Sequence, residues 1–301
     1  MRLAVTGATG RIGARLVTAL RERGDDVCVL SRDPGRAREA LGVEAVGWRP
    51  EQEPAPAAAL AGRDGVVHLA GEDVAQRWTE AAKRRIRTSR ELGTRNLVAG
   101  LRAADPRPAV LVSASGVGWY GPHGDEELDE GAPAAGDFLA QVCAVWEREA
   151  AAAEELGVRV VRVRTGIVLD RHGGALKRML PFFRLGVGGP VAGGEQWMPW
   201  IHLDDLAGMY LQALDDPAWT GPFNGTAPEP VRNKEFSRAL GRALRRPAIA
   251  PVPAFAVRVL YGEMADIVVH GQRAVPERAR ALGFPFRHPR LDEALRDALA
   301  R

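Results

Sequence analysis

The chain has 301 residues, enough for one large α/β unit with an appendage or for two domains, and its 41 Lys and Arg nearly balance 38 Asp and Glu. That balance excludes a general nucleic-acid clamp. Two cysteines exclude a disulfide scaffold or a cysteine zinc site, and no run approaches the ~20 apolar residues of a membrane span. The expectation is a cytoplasmic monomer or homodimer with a small-molecule partner and no nucleic-acid or membrane partner, whose opening Met1-Arg2-Leu3-Ala4-Val5 reads as a strand and not a signal peptide.

In chain order, β-branched runs predict strands over 2–6, 26–31, 43–47, 65–70, 108–114 and 158–163, with helices over 11–23, 35–41, 55–62, 76–104 and 136–156. This alternation predicts an α/β fold with a doubly wound parallel sheet. After Leu169, Gly186, Gly188, Gly189, Gly193 and Gly194 punctuate a stretch that also holds Trp197 and Trp200. Residues 170–200 are therefore expected to contribute to a smaller substrate-side lobe. A nucleotide-binding domain over 1–215 and a short C-terminal domain over 250–301 follow, the latter ending in a helix with Leu291, Ala294, Leu295, Ala298 and Leu299 on one face.

Chemistry concentrates at the strand ends. Thr6-Gly7-Ala8-Thr9-Gly10-Arg11-Ile12-Gly13 follows the first strand and opens a helix, where glycine allows a tight turn and a close pyrophosphate approach. Gly7, Thr9, Gly10, Arg11, Ile12 and Gly13 are the candidate cofactor residues, and the absence of Gly-Lys-Ser/Thr excludes a P-loop. The second strand ends in Ser31-Arg32-Asp33, with a hydroxyl and a guanidinium ahead of the carboxylate. This favours NADP(H) through Ser31 and Arg32, while Asp33 leaves NAD(H) open. The fourth strand ends in Leu69, Ala70 and Gly71, against which a cofactor can lie, and His68 before them reads as a core histidine. On the long helix, Lys83 and Arg90 share a stripe with Ile86, Gly93 and Leu97, so they are candidates to hold an anionic substrate, with Trp200 contributing from the lid. His202, Asp204 and Asp205 lack convincing metal spacing, and Asp204 or Asp205 is expected to N-cap the following helix; no metal is expected.

The three-residue glycine spacing resembles the short-chain dehydrogenase/reductase superfamily, and residues 1–215 resemble its atypical, extended members. Arg77-Trp78-Thr79, Ser89-Arg90, Ser113 to Gly121, Arg164-Thr165-Gly166 and Trp200-Ile201-His202 are similar to the epimerase-like, NAD-dependent epimerase/dehydratase family with a short C-terminal domain of unknown function. Gly262-Glu263-Met264, Gln272 to Pro276 and Gly283-Phe284-Pro285-Phe286 resemble that last domain. The resemblance implies a Rossmann fold, a dinucleotide, Ser113 beside it and Ser115 as the catalytic hydroxyl. One departure stands out: where the superfamily carries Tyr-x-x-x-Lys, this chain has Cys143 and Glu147, and a glutamate does not lower a phenol pKa as lysine does. Either the acid has moved, with Tyr120 the nearest candidate, or standard chemistry is lost. The expected function is an NADP(H)-dependent oxidoreductase or epimerase acting on a small carbonyl or sugar-nucleotide-like, anionic substrate; the alternative is a redox-inactive NADP(H)-binding sensor.

Overall fold

The computed structural model describes residues 1–300. Its main sheet contains β1 (Arg2–Thr6), β2 (Asp26–Ser31), β3 (Glu44–Gly47), β4 (Gly65–His68), β5 (Val110–Gly116), β6 (Arg159–Thr165) and β7 (Gly221–Gly225). The order is β7-β6-β5-β4-β1-β2-β3 with every neighbouring pair parallel, so the expected doubly wound, Rossmann-type sheet is present. Its winding reverses between β1 and β4, the place where such folds leave a ligand crevice. β7 lies beyond the domain boundary expected near residue 215. Its sequence, Gly-Pro-Phe-Asn-Gly, reads as a turn, yet an edge strand tolerates proline because one of its sides needs no ladder partner.

Helices cover both faces: α1 (Arg11–Glu22), α2 (Pro34–Leu41), α3 (Glu80–Ala103), α4 (Phe138–Ala151), α5 (Gly174–Arg184), α6 (Leu203–Asp215), α7 (Asn233–Leu244) and α8 (Leu291–Ala300). One core joins Leu16, Val17 and Leu20 of α1 to Leu206, Met209 and Leu214 of α6, while the other joins Leu97, Val98 and Leu101 of α3 to Ala150 of α4. The helix expected over 76–104 starts at Glu80, because the Thr79 hydroxyl accepts the Ala82 N–H and stops the chain from coiling earlier. The helix expected over 55–62 shrinks to the single turn Ala57–Leu60.

A third core forms a smaller lobe. Leu176, Leu180 and Phe183 of α5, Phe236 and Leu240 of α7, and Ala294, Leu295 and Ala298 of α8 pack around Trp200 and Met198. The C-terminal region also reaches the main sheet. Phe284 meets Trp219 edge-on at 5.8 Å, and Trp219 stacks on Phe223 of β7 at 4.1 Å. Along the outer side of β7, Arg278 Nη1 donates to Pro222 O at 2.7 Å, and Asn224 Nδ2 donates to Val275 O at 2.9 Å and Leu128 O at 3.2 Å.

Candidate functional site

The glycine turn sits at the carboxyl end of β1. Gly7 has φ +66°, and a Cβ there would lie 2.6 Å from the Leu69 carbonyl atoms; a Cβ on Gly13 would lie 2.4 Å from Gly7 O. Both positions exclude any side chain, because the turn runs against the end of β4 at Gly7 and against its own backbone at Gly13. Gly10 is the N-cap of α1, with no side-chain cap and no acidic residue in the first turn, which leaves a helix N-terminus suited to an anion. Thr9 is exposed and Ile12 packs on the core below. The Arg11 guanidinium turns aside: Nε and Nη2 grip Asp170 at 2.5 and 3.1 Å. Arg15, one turn on, holds Asp204 at the start of α6 at 2.6 Å.

At the end of β4, Thr6 Oγ1 accepts from the Leu69 and Ala70 N–H groups at 3.2 and 3.3 Å and lies 2.7 Å from His68 Nδ1. With two amides donating to it, the hydroxyl proton goes to Nδ1. That leaves Nε2–H of His68 to donate to Thr94 Oγ1, 3.0 Å away. Burial holds the imidazole pKa at about 3, so His68 is a neutral core brace, as expected.

The Asp33 carboxylate at the end of β2 is occupied as the N-cap of α2, accepting the Arg36 N–H at 3.0 Å, with Pro34 preset in the first turn. Its backbone N–H donates to Ser31 Oγ at 3.2 Å, and Arg32 and Arg36 are exposed beside it. A group drawn into a helix cap is poorly placed to accept from a ribose hydroxyl, whereas Arg32 is free to meet a phosphate.

Strand register builds the polar centre. Ser115 of β5, Arg164 of β6 and Asn224 of β7 are aligned neighbours, so one row of the sheet presents three polar side chains. Glu147 of α4 descends onto this row. Its Oε1 accepts from Ser115 Oγ at 2.7 Å and Arg164 Nε at 2.8 Å, and its Oε2 accepts from Arg164 Nη2 at 3.0 Å. Arg164 also donates to the Tyr120 hydroxyl at 3.1 Å and stacks on Trp119 at 3.9 Å, while Tyr120 donates to Asn224 Oδ1 at 2.7 Å. The glutamate that breaks the superfamily pattern is thus the buried counter-ion of a strand arginine. Both anomalies stood in the sequence, and a charge inside the valine-rich run Val160-Val161-Arg162-Val163-Arg164 was the signal that could have joined them.

Several expected site residues are placed elsewhere. Tyr120, expected as a proton donor, is fully buried with its hydroxyl between Arg164 and Asn224, and burial pushes its phenol up to about 12. Ser113, expected beside the cofactor, is also fully buried and donates to Ala114 O at 3.2 Å. Trp200, expected as a substrate contact, is enclosed in the lobe core with its indole N–H on Glu229 O at 2.9 Å. Lys83 pairs with Glu263 of the C-terminal region, and Arg90 lies under Gly71, donating to Glu72 O at 2.9 Å and stacking on Trp146. The cap of α6 is His202, whose Nδ1 accepts the Asp204 N–H at 3.1 Å; Asp204 instead meets Arg15, and Asp205 accepts from the His288 N–H at 2.9 Å. Burial pushes the Cys143 thiol up to about 12, which suits packing and not redox work. A depression of about 440 Å³, lined by Asp73, His172, Gly173, Gly174, Lys177 and Arg178, opens beside the Arg11–Asp170 pair.

The chain matches the NAD dependent epimerase/dehydratase family over residues 3–224 and a domain of unknown function (DUF1731) over residues 252–298. The chloroplastic epimerase family protein SDR39U1 homolog of Arabidopsis thaliana is 42% identical over 299 residues, which cover 98% of this chain and 86% of that protein. The crystal structure of the human epimerase family protein SDR39U1 with NADPH superposes over 100% of both chains with a TM-score of 0.89 at 35% identity. A nucleoside-diphosphate sugar epimerase from Corynebacterium glutamicum is similar over 99% of this chain and 58% of its own, with a TM-score of 0.79 at 33% identity. With most of its length matched, the chain belongs to the NAD-dependent epimerase/dehydratase family.

Proposed function

We propose that the protein is an NADP(H)-dependent oxidoreductase or epimerase of the cytoplasm, acting on a small carbonyl or sugar-nucleotide-like substrate that carries an anionic group. The observation that carries the cofactor choice is the capture of the Asp33 carboxylate by the α2 N-terminus, which leaves Arg32 as the charged group at the end of β2. The human relative crystallised with NADPH supports the same reading. Gly7, Thr9, Gly10 and Gly13 would carry the pyrophosphate, with Arg11 and Ile12 at the first turn of α1 and Leu69, Ala70 and Gly71 as the wall. The nicotinamide, when bound, supplies hydride chemistry. Ser115 is the residue assigned to the substrate oxygen: Glu147 takes its proton, so Oγ offers lone pairs to a substrate hydroxyl. Lys177 at the mouth suits the anionic end of the substrate better than Lys83 or Arg178, which Glu263 and Asp73 neutralise.

Titration with NADPH and NADH tests the cofactor reading. Arg32→Ala should weaken NADPH by about 10- to 150-fold, the scale of one charge-assisted hydrogen bond, and leave NADH unchanged; equal loss for both refutes it. A screen of carbonyl compounds and nucleotide sugars, following nicotinamide absorbance and product stereochemistry, tests the reaction. On a substrate so found, Ser115→Ala should cut turnover by roughly 10²-fold or more while NADPH affinity stays within a few-fold. A second reading, an NADP(H) sensor without chemistry, is favoured by the enclosure of Cys143, Glu147 and Tyr120. It prevails if no substrate emerges and a partner binds only one cofactor redox state.

A further inference from the structure

Charge is unevenly distributed along a chain that is balanced as a whole. Residues 171–194 contain four Lys or Arg and no Asp or Glu, and residues 236–262 contain five Arg and no Asp or Glu. The fold lays these two stretches side by side: the Val252 N–H donates to Pro190 O and the Ala192 N–H to Val252 O, each at 2.9 Å, and Gly186 lies against Pro247. Three of the cations find carboxylates from other segments, Arg178 at Asp73, Arg242 at Asp292 and Arg258 at Asp266. Arg184, Arg245 and Arg246 are exposed, and a depression of about 380 Å³ gathers Arg238, Arg242, Arg245 and Arg246 beside Ile249.

The same two stretches carry most of the apolar side chains that stand in solvent. Of ten exposed large hydrophobic residues among the described ones, seven lie here, including Leu185 at 77%, Ile249 at 83%, Phe255 at 70% and Val259 at 68% exposure. Phe255 and Val259 are one turn apart on the helix Ala254–Tyr261 and share a face with Arg258 nearby. The two stretches meet through Pro190, Ala192 and Val252, and large apolar side chains gathered in solvent mark an interaction surface.

We propose that this face docks on an anionic bilayer surface, with the arginines among the headgroups and Leu185, Ile249, Phe255 and Val259 entering the boundary with the acyl chains. Charge decides the partner. A two-fold dimer through this face would set arginine against arginine, and a peptide would need a concave apolar floor, whereas these apolar side chains project. A projecting apolar strip flanked by unpaired arginines fits a headgroup layer. Span-length hydropathy does not register such a surface, because lying on a membrane needs no run of twenty apolar residues.

The test is co-sedimentation of the full chain with vesicles of phosphatidylcholine mixed with phosphatidylglycerol, against phosphatidylcholine alone. Binding should appear only with the anionic lipid and fall when salt rises from about 0.1 to about 1 M, which shortens the Debye length from about 10 to about 3 Å. Arg245→Gln with Arg246→Gln should weaken it about 25-fold, at about fivefold per arginine. Phe255→Ser with Val259→Ser should also weaken it, and both double variants should keep the parent's NADPH titration, which reports an intact fold. No binding to anionic vesicles overturns the proposal. Equal binding to both vesicle types overturns it as well. So does a concentration-dependent dimer that the same substitutions abolish.

Discussion

Arg164→Met tests whether the Glu147–Arg164 pair anchors the polar centre. Both side chains are 3% exposed and meet through two short hydrogen bonds, so removing the guanidinium leaves a carboxylate buried without its counter-ion. Breaking a buried pair from one side costs about 3–5 kcal/mol. An unfolding entropy of about 2.1 cal/mol/K per residue gives about 0.6 kcal/mol/K for 301 residues, so ~4 kcal/mol lowers Tm by about 6 °C. Glu147→Leu should cost a similar amount, since it strands the arginine and removes the acceptor of Ser115. The double variant is the decisive measurement: with neither charge left, its loss should be well under the sum, a coupling of about 2 kcal/mol or more. Urea unfolding followed by tryptophan fluorescence supplies all four stabilities. A single-variant loss under about 1 kcal/mol, or strict additivity in the double, would refute the claim that this pair organises the row.

Gly7→Ala places a methyl group 2.6 Å from the Leu69 carbonyl at a left-handed φ, so NADPH binding should become undetectable by calorimetry and stability should fall by about 1 kcal/mol or more. His68, held at about 3 in the fold against 6.5 unfolded, takes up a proton more readily when unfolded, so its contribution to stability is complete above pH 6.5 and is lost as pH falls toward 3. Between pH 7.5 and 5 the loss should be about 2 kcal/mol in urea titrations, and His68→Gln should lack that part of the slope. Trp200→Ala should destabilise by about 3–5 kcal/mol, because the indole fills the lobe core. If instead it raises KM on an identified substrate with Tm unchanged, Trp200 belongs to the binding surface.

The parts of the fold legible in the sequence are those where local pattern and tertiary role agree. The six expected strands and the glycine turn follow from β-branched runs and from a spacing that leaves backbone no alternative. β7 was illegible because Gly-Pro-Phe-Asn-Gly becomes a strand only through β6 beside it. His202 as a helix cap was hidden for a similar reason: aspartate is the usual cap, and here both aspartates serve other segments, Asp204 at Arg15 and Asp205 at the backbone of residues 287 and 288. Glu147 and Arg164 were each visible as anomalies, but 17 residues of sequence separation concealed that strand register makes one the answer to the other. The place of Trp200 was not legible either, since an aromatic among glycines reads equally as lid or core until the third core is seen around it.

The contacts along the outer side of β7 have a consequence for any truncated form of the protein. An open parallel sheet ends in a strand whose free amides and carbonyls can template a foreign strand. Here Arg278 of the C-terminal region donates to the Pro222 carbonyl, and Glu130, itself held by the Arg278 N–H, accepts the Asn224 N–H. The C-terminal region therefore acts as a guard against strand addition, independent of any part it takes in the cleft. A chain cut near residue 250 would keep its dinucleotide turn yet free the Pro222 carbonyl at the rim of β7 and uncover Trp219 where Phe284 packs and Phe223 where Arg278 lies, and its characteristic failure would be self-association into sheet-linked aggregates.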